Sequence, residues 1–147
     1  MKTNLQTILD NLKKSDCATA TGTHMHSQMR TIIIDGENSR GPQNIINQIK
    51  SVPNLVDFFT PHAQTEVPIA GYIENQFISR RIDRMIIHHA TQEIRILDYK
   101  TDTDRTHFFD KYAKQISEYK KLVADAYPGY TVRGFILWLH DFSLQEI

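Results

Sequence analysis

The sequence predicts an α/β fold in which a mixed β-sheet is flanked by helices, with further helices in the N-terminal part. Three observations predict this fold class. Short β-rich runs follow one another at residues 67–73, 77–87 and 93–99, a strong helical pattern covers 108–127, and a nearly all-apolar run lies at 132–139. Strands joined by short turns pair antiparallel, whereas a strand reached through a helix can join the same sheet in parallel.

The N-terminal part, residues 1–60, is predicted to be mainly helical. An amphipathic helix is expected over 3–14, because apolar residues recur there at helical spacing. A second helix is expected over 22–33, although its β-branched residues Ile32, Ile33 and Ile34 would also suit a strand. The elements predicted after it are a turn-rich segment over 35–42 and short helices over 43–50 and 54–59.

The sheet and its long helix are predicted within residues 65–140. The three β-rich runs are separated by short polar turns, which indicates an antiparallel three-stranded meander. The following helix has one broad apolar face and is stopped by Pro128 and Gly129. The run Val132–Leu139 is nearly all apolar, as in a strand covered on both faces. No linker divides the chain, so we expect a single domain over 1–147.

Composition and charge exclude several classes of protein. The chain has 147 residues, with 17 Lys+Arg against 17 Asp+Glu, and this neutral balance argues against an autonomous, tight DNA-binding protein. The one cysteine, Cys17, cannot complete a four-cysteine zinc site or iron–sulfur cluster. No apolar run is long enough to span a bilayer, and there is no ATP-binding G-x-x-x-x-G-K-[ST] motif. We expect a cytoplasmic protein with no membrane association.

Asp98 and Lys100 are the first candidates for a catalytic site. They are two residues apart in Ile94–Lys100, so their side chains share one face at the end of an otherwise apolar strand. Such a pair is expensive to desolvate, and phosphodiester hydrolysis gives a reason for it. A carboxylate can hold Mg²⁺ while a neighbouring lysine orients water or stabilises developing charge. The alternative is a structural ion pair.

Asp83 is the second carboxylate, within the preceding strand. Antiparallel pairing through the turn at 88–92 would bring it close to Asp98. Two adjacent carboxylates repel each other unless a cation lies between them, and a divalent ion with oxygen ligands fits. The alternative is that Asp83 pairs with an arginine, for which the candidates are Arg81, Arg84 and Arg95.

Three further side chains belong to the candidate site. His26, in the segment Gly22–His26, could supply a nitrogen ligand, although a lone histidine on a helix is more often a surface or core residue. Gln115 and Tyr119 are four residues apart and share one helical face, where they could hold a phosphate or a catalytic side chain. The alternative is that Tyr119 belongs to the core and Gln115 to the helix surface.

The order of these motifs resembles the RecB-like branch of the PD-(D/E)XK nucleases, which have a restriction-endonuclease-like core. The chain is most similar to the C-terminal nuclease domain of AddA-type helicase–nuclease subunits. The likeness covers most of the chain and is strongest over 66–139. It is carried by G-T-x-x-H, T-E-V-P, R-I-D-R, L-D-Y-K-T and Q-x-x-x-Y, in that order.

The resemblance implies a role for each matched residue. His26, Asp83 and Asp98, with the backbone carbonyl of Tyr99, would bind Mg²⁺, for which Mn²⁺ can substitute. Lys100 would be the catalytic lysine. Gln115 and Tyr119 would support the site and the DNA backbone, and Glu66 would have an auxiliary role.

The implied activity is Mg²⁺-dependent hydrolysis of DNA, as an exonuclease that processes ends in double-strand break repair and recombination. Its substrate would be a single strand delivered by a helicase, either a partner subunit or part of a longer chain. This chain departs from the family at Arg80, where a small residue is common, and at the acids Asp102 and Asp104. The alternative is an inactive DNA-binding or assembly module with the same fold.

The neutral net charge is consistent with a nuclease domain of weak intrinsic DNA affinity. Some of the acids would be offset by bound cations in the site. On the long helix, Lys114 and Lys121 belong to a group of lysines around Gln115 and Tyr119, and we expect these two to contact DNA. The alternative for these lysines is a helix face that is only solvated.

Overall fold

A computed structural model describes residues 24–147. The helical elements are α1 (residues 24–30), α2 (Gln43–Ser51) and α3 (Arg105–Ala126), with 3₁₀ turns at Gly36–Asn38 and Val56–Phe59. The strands are β1 (Gln64–Ile73), β2 (Gln76–His88), β3 (Glu93–Lys100), β4 (Thr131–Trp138) and β5 (Ser143–Glu146). The helix predicted over 3–14, Cys17 and the Gly22–Thr23 part of the histidine motif lie outside the described residues.

The five strands form one mixed sheet in the order β1-β2-β3-β4-β5. β1, β2 and β3 are the predicted antiparallel meander, and β4 runs parallel to β3 after the connection through α3. The predicted α/β class and mixed sheet are therefore confirmed. β5, which pairs antiparallel with β4, is an element that the sequence analysis did not predict.

Helices cover both faces of the sheet. α3 packs on one face, where Ile116, Tyr119 and Val123 meet apolar residues of β2, β3 and β4. A Cβ at Gly134 of β4 would lie 2.4 Å from Ile116 Cγ2, so glycine permits the close approach of α3 to β4. α1, α2 and Val56–Phe59 cover the opposite face. Among the described residues, no helix is both long and apolar enough to cross a membrane.

Two predicted helices differ from the structure. The helix expected over 22–33 ends at residue 30, because Ile33 forms an antiparallel bridge with Arg40 instead, as β-branched residues favour. The helix expected over 54–59 is a turn followed by the 3₁₀ segment Val56–Phe59. The helices predicted over 43–50 and 108–127 are confirmed within a few residues at each end.

Strand β2 changes its pleat at Asp83. Ile82 and Met85 both pack on the α3 side although they are three residues apart, whereas Ile86 packs on the opposite side. Pairing between β2 and β3 begins only at Arg84, opposite Leu97. Regular alternation would put residues an odd number apart on opposite faces, so the strand is locally distorted. The distortion is where β2 and β3 separate.

Candidate active site

Asp83 and Asp98 lie at the separation of β2 and β3. Each is the next residue beyond the last paired residues, Arg84 and Leu97, so the register that brings the two strands together also brings the two carboxyl groups together. Both side chains are nearly inaccessible to solvent, with Asp83 9% and Asp98 4% exposed. The predicted neighbourhood of the two carboxylates is therefore present.

Asp83 is held in its ionised form. Burial opposes ionisation, but the His26 imidazole and the backbone N–H of Tyr99 outweigh it and hold the pKa of Asp83 below its usual range. Tyr99 N donates to Asp83 Oδ2 at 2.8 Å, and His26 Nδ1 lies 3.5 Å from Asp83 Oδ1. The same contact with Asp83 raises the pKa of His26. His26 therefore lies beside the carboxylates, as expected.

Asp98 has the opposite titration behaviour. Burial and the negative charge of Asp83 raise its pKa to about 7, although Lys100 opposes the change. Lys100 Nζ lies 2.7 Å from Asp98 Oδ2, in a direction that leaves this buried oxygen without a hydrogen-bond donor. Asp98 is therefore a buried acid that is costly to ionise as long as only Lys100 compensates it.

Lys100 connects the carboxylates to α3. Its Nζ donates to Gln115 Oε1 at 2.8 Å, and Gln115 Nε2 donates to the Tyr119 hydroxyl oxygen, also at 2.8 Å. Nζ also lies 4.2 Å from the centre of the Tyr112 ring. Burial and the nearby aspartates raise the pKa of Tyr119, so its hydroxyl stays protonated. The predicted pair on one helical face therefore fixes the lysine, and Tyr119 also belongs to the core.

A basic cleft of about 310 Å³ opens beside Lys100. Its walls carry Arg80, Lys100, Lys111 and Lys114, with Tyr112, Gln115 and Glu118. Arg80 comes from β2, Lys100 from β3, and Lys111 and Lys114 from α3, so three elements direct cations into one space. Lys111 and Lys114 both belong to the group of lysines that the sequence indicated on the long helix, whereas Arg80 stood out in the sequence only as a departure from the family pattern.

Two other predicted residues are further from the carboxylates. Lys121 lines a neighbouring groove together with Lys114 and is paired with Asp125 at 3.1 Å. Glu66 Oε2 lies 3.7 Å from Arg81 Nη1. Glu66 is opposite the distorted part of β2 and has a positive φ of 53°. The acids that follow Lys100 have structural partners, because Asp104 caps α3 by accepting from His107 N and Asp102 accepts from the Tyr112 hydroxyl.

The arginine alternative for Asp83 is wrong. Arg81 faces Glu66, and Arg95 pairs with Glu93 and approaches Asp57. Arg84 is almost fully buried and donates to the Tyr99 hydroxyl and to main-chain carbonyls. These carbonyls belong to Phe58, Met29, Arg30 and Ile32.

Arg84 is the structural residue of the site that the sequence analysis missed. Its guanidinium joins the end of α1 to β3 and so connects the element that carries His26 to the strand that carries Asp98. Cations are favourable at helix C-termini. The signal in the sequence was an arginine inside an apolar strand, but only the packing shows that it points inward.

The chemistry of His26, Asp83 and Asp98 can be compared with what a metal ion requires. Two buried carboxylates side by side, one with an oxygen that lacks a donor, fit a divalent cation with oxygen ligands. Within the described range, however, no three His, Cys, Asp or Glu side chains are arranged to hold a metal ion. His26, Asp83 and Asp98 form a row, with Lys100 at its end. The donor set therefore fits, but the side chains are not gathered into a cage.

Comparison with known proteins supports the fold. The chain is similar in structure to a "Putative exonuclease" from Eubacterium rectale, with a TM-score of 0.57 and 14% sequence identity. The match covers 88% of this chain and 58% of that chain, so this chain corresponds to little more than half of the other protein. No protein-family model and no curated protein matches the sequence. At this identity the likeness shows a shared fold.

Proposed function

We propose that this protein is a metal-dependent DNA nuclease domain. The single observation that carries the proposal is the convergence of Asp83, Asp98 and Lys100 beside a basic cleft. Carboxylates and a lysine at one point provide the groups needed to bind a divalent cation and to stabilise a phosphoryl transition state. The similarity to the "Putative exonuclease" supports the same class.

The residues of the chain have separate tasks in this proposal. Asp83, Asp98 and His26, with the carbonyl of Tyr99, would hold Mg²⁺, which when bound would polarise a phosphoryl oxygen and lower the pKa of an attacking water. Lys100, oriented by Gln115, contacts the scissile phosphate and stabilises its developing negative charge.

The cleft cations bind the phosphates on either side of the scissile bond. Arg80 and Lys111 approach from β2 and α3, and a duplex or single strand would meet both.

The finer assignment rests on the resemblance. We propose an exonuclease of the RecB or AddA type that processes DNA ends in break repair, supplied with single-stranded DNA by a helicase subunit or by a helicase portion of a longer chain. Glu66 has an auxiliary role, through its contact with Arg81.

The test is Mg²⁺-dependent degradation of DNA by purified variants. Lys100→Ala and Asp98→Ala should each lose activity at least a hundredfold, which is the usual cost of removing a group that stabilises transition-state charge. Lys50→Ala, on the exposed surface of α2, is the matched control and should keep full activity. Circular dichroism would show that the variants are folded. Unchanged activity in either site variant would refute the mechanism.

A second candidate function is a DNA-binding or assembly module without turnover. The position of Lys100 favours it, because the ammonium lies 2.7 Å from Asp98 Oδ2 and already offsets part of the charge that a cation would neutralise. Titration with Mn²⁺ separates the candidates. A folded protein that binds DNA but takes up no Mn²⁺ and cleaves nothing is the binding module.

A further inference from the structure

The β1–β2 hairpin extends from the sheet as a two-stranded ribbon. β2 pairs with β1 from Gln76 to Met85 but with β3 only from Arg84 to His88. The ribbon therefore leaves the sheet at Asp83, beside the candidate site. Its turn contains Glu74 and Asn75, both with positive φ, as a type I′ turn requires.

The two faces of this ribbon differ. A Cβ at Gly71 would lie 2.7 Å from Leu122 Cδ2, so one face packs against α3. Side chains alternate along a strand, which directs the neighbours of Gly71 to the outer face. The outer face is exposed and consists of Pro68, Ala70, Tyr72, Phe77, Ser79 and Arg81.

Tyr72 and Phe77 form an exposed aromatic pair at the end of the ribbon. Tyr72 is 68% exposed and Phe77 59%, and they are the exposed large hydrophobic residues of the described range. They are direct cross-strand partners, with ring centres 5.5 Å apart and an interplanar angle of 65°. Two adjacent exposed rings form a contiguous apolar surface, and such surfaces mark interaction sites.

We propose that Tyr72 and Phe77 are a stacking platform for the bases of single-stranded DNA. This inference rests on the proposed function and adds a second contact to it. The outer face runs along the ribbon from the rings to Arg81, two residues before Asp83, so its inner end lies beside the candidate site. Every base offers a π-face to an aromatic ring, and an arginine at the site end of the face pairs with a phosphate.

The composition of the face favours DNA over a protein partner. A stable protein interface needs about 800 Å² from each partner. Two aromatic side chains contribute about 150–250 Å² each, and the floor between the rings and Arg81 consists of the small residues Pro68, Ala70 and Ser79. Two aromatic rings beside a surface of small side chains are better suited to base stacking than to the core of a protein interface.

The distance between the rings and the site sets the length of the ligand. Phe77 and Asp83 are six residues apart on β2, which is about 20 Å in a strand. Stacked nucleotides advance about 3.4 Å each, so about six nucleotides connect the two contacts. Oligonucleotides of about four nucleotides can occupy one contact but not both.

The experiment measures binding and cleavage by the full chain. Fluorescence anisotropy in EDTA would compare the wild type with Tyr72→Ala/Phe77→Ala, on oligothymidylates of about four and about twelve nucleotides and on a duplex. We expect the double variant to bind the longer strand about 5- to 150-fold more weakly, because this is the range for one stacked base. The duplex should be bound equally by both proteins. Tyr72→Phe/Phe77→Tyr, which keeps both rings, is the control and should bind like the wild type.

The outcomes separate this inference from the proposed function. In Mg²⁺ the double variant should cleave the longer strand more slowly and the shorter strand at the wild-type rate. Equal affinity of the two proteins for the longer strand overturns the platform even if the wild type cleaves DNA. A wild type that binds the longer strand through its rings but never cleaves keeps the platform and refutes the nuclease.

Two other occupants of the rings would also be detected. A fall in the melting temperature of the double variant without a change in DNA binding would assign the rings to packing within the chain. A dimer that dissociates in the double variant would assign them to a second copy. Either result, with DNA binding unchanged, overturns the platform.

Discussion

Asp98→Asn should stabilise the protein while it removes activity. Asp98 is 4% exposed, and burial together with the charge of Asp83 raises the pKa of its carboxyl group from 3.8 to about 7. In the native state it therefore binds a proton that the unfolded chain releases. The free energy of unfolding falls by this contribution as the pH rises from about 4 to about 7. An amide of the same shape has no charge to desolvate.

The magnitude follows from the pKa. A rise from 3.8 to about 7 corresponds to about 4 kcal/mol at 1.36 kcal/mol per pH unit, which is the upper limit for the gain at about pH 8. At about pH 5 the native carboxyl is already protonated, and the gain is smaller by about 3 kcal/mol. The pH dependence of the free energy of unfolding has the opposite sign for Asp83. Because folding lowers the pKa of Asp83, its carboxylate stabilises the protein above the unfolded pKa, and this stabilisation is lost as the pH falls through the folded pKa.

The assay is urea denaturation in EDTA at the two pH values, followed by fluorescence of the single, buried Trp138. Asp125→Asn is the control, because Asp125 is exposed and its pairing with Lys121 contributes little. A gain for Asp98→Asn that is equal at the two pH values, or absent at the higher one, would refute the reasoning. Added Mg²⁺ should stabilise the wild type and not this variant, in proportion to occupancy of the site.

Three further predictions use the same structure. Arg84→Met leaves buried carbonyls and a hydroxyl without a donor, so denaturation in urea should show a loss of about 3–5 kcal/mol, and a loss below about 1 kcal/mol would contradict the network. Gly134→Ala inserts a methyl group against Ile116 and should cost about 1–3 kcal/mol by the same assay, whereas unchanged stability would mean that α3 moves away freely. Lys114→Glu should weaken DNA binding about tenfold in low salt and reduce its salt dependence. Lys121→Glu should have a smaller effect because Lys121 is already paired, and equal effects would place both lysines equally close to DNA.

The sequence predicted the parts of this protein that depend on local pattern. Short β-rich runs and the turn residues between them located β1, β2 and β3, and the apolar run at 132–139 located β4. The spacing of Asp98 and Lys100 placed both side chains on one face, since that follows from the period of a strand. The four-residue spacing of Gln115 and Tyr119 placed them together in the same way.

Other features depended on contacts between residues far apart in the chain. β5 is short, and it forms a strand because β4 offers an open edge to pair with. Helix α1 ends at residue 30, before the predicted end at 33, because Ile33 forms a β-bridge with Arg40. Arg84 donates to main-chain carbonyls at and just after the end of this helix, where carbonyls have no partner within the helix.

In the candidate site, too, some features follow from the sequence and others only from the tertiary structure. The residue types in the sequence indicated two carboxylates, a lysine and a histidine. Only the tertiary structure determined that Asp83 remains ionised while Asp98 holds its proton to about pH 7. The physical reason is that a pKa depends on burial and on the charges nearby in space, and neither is a property of the order of residues along the chain.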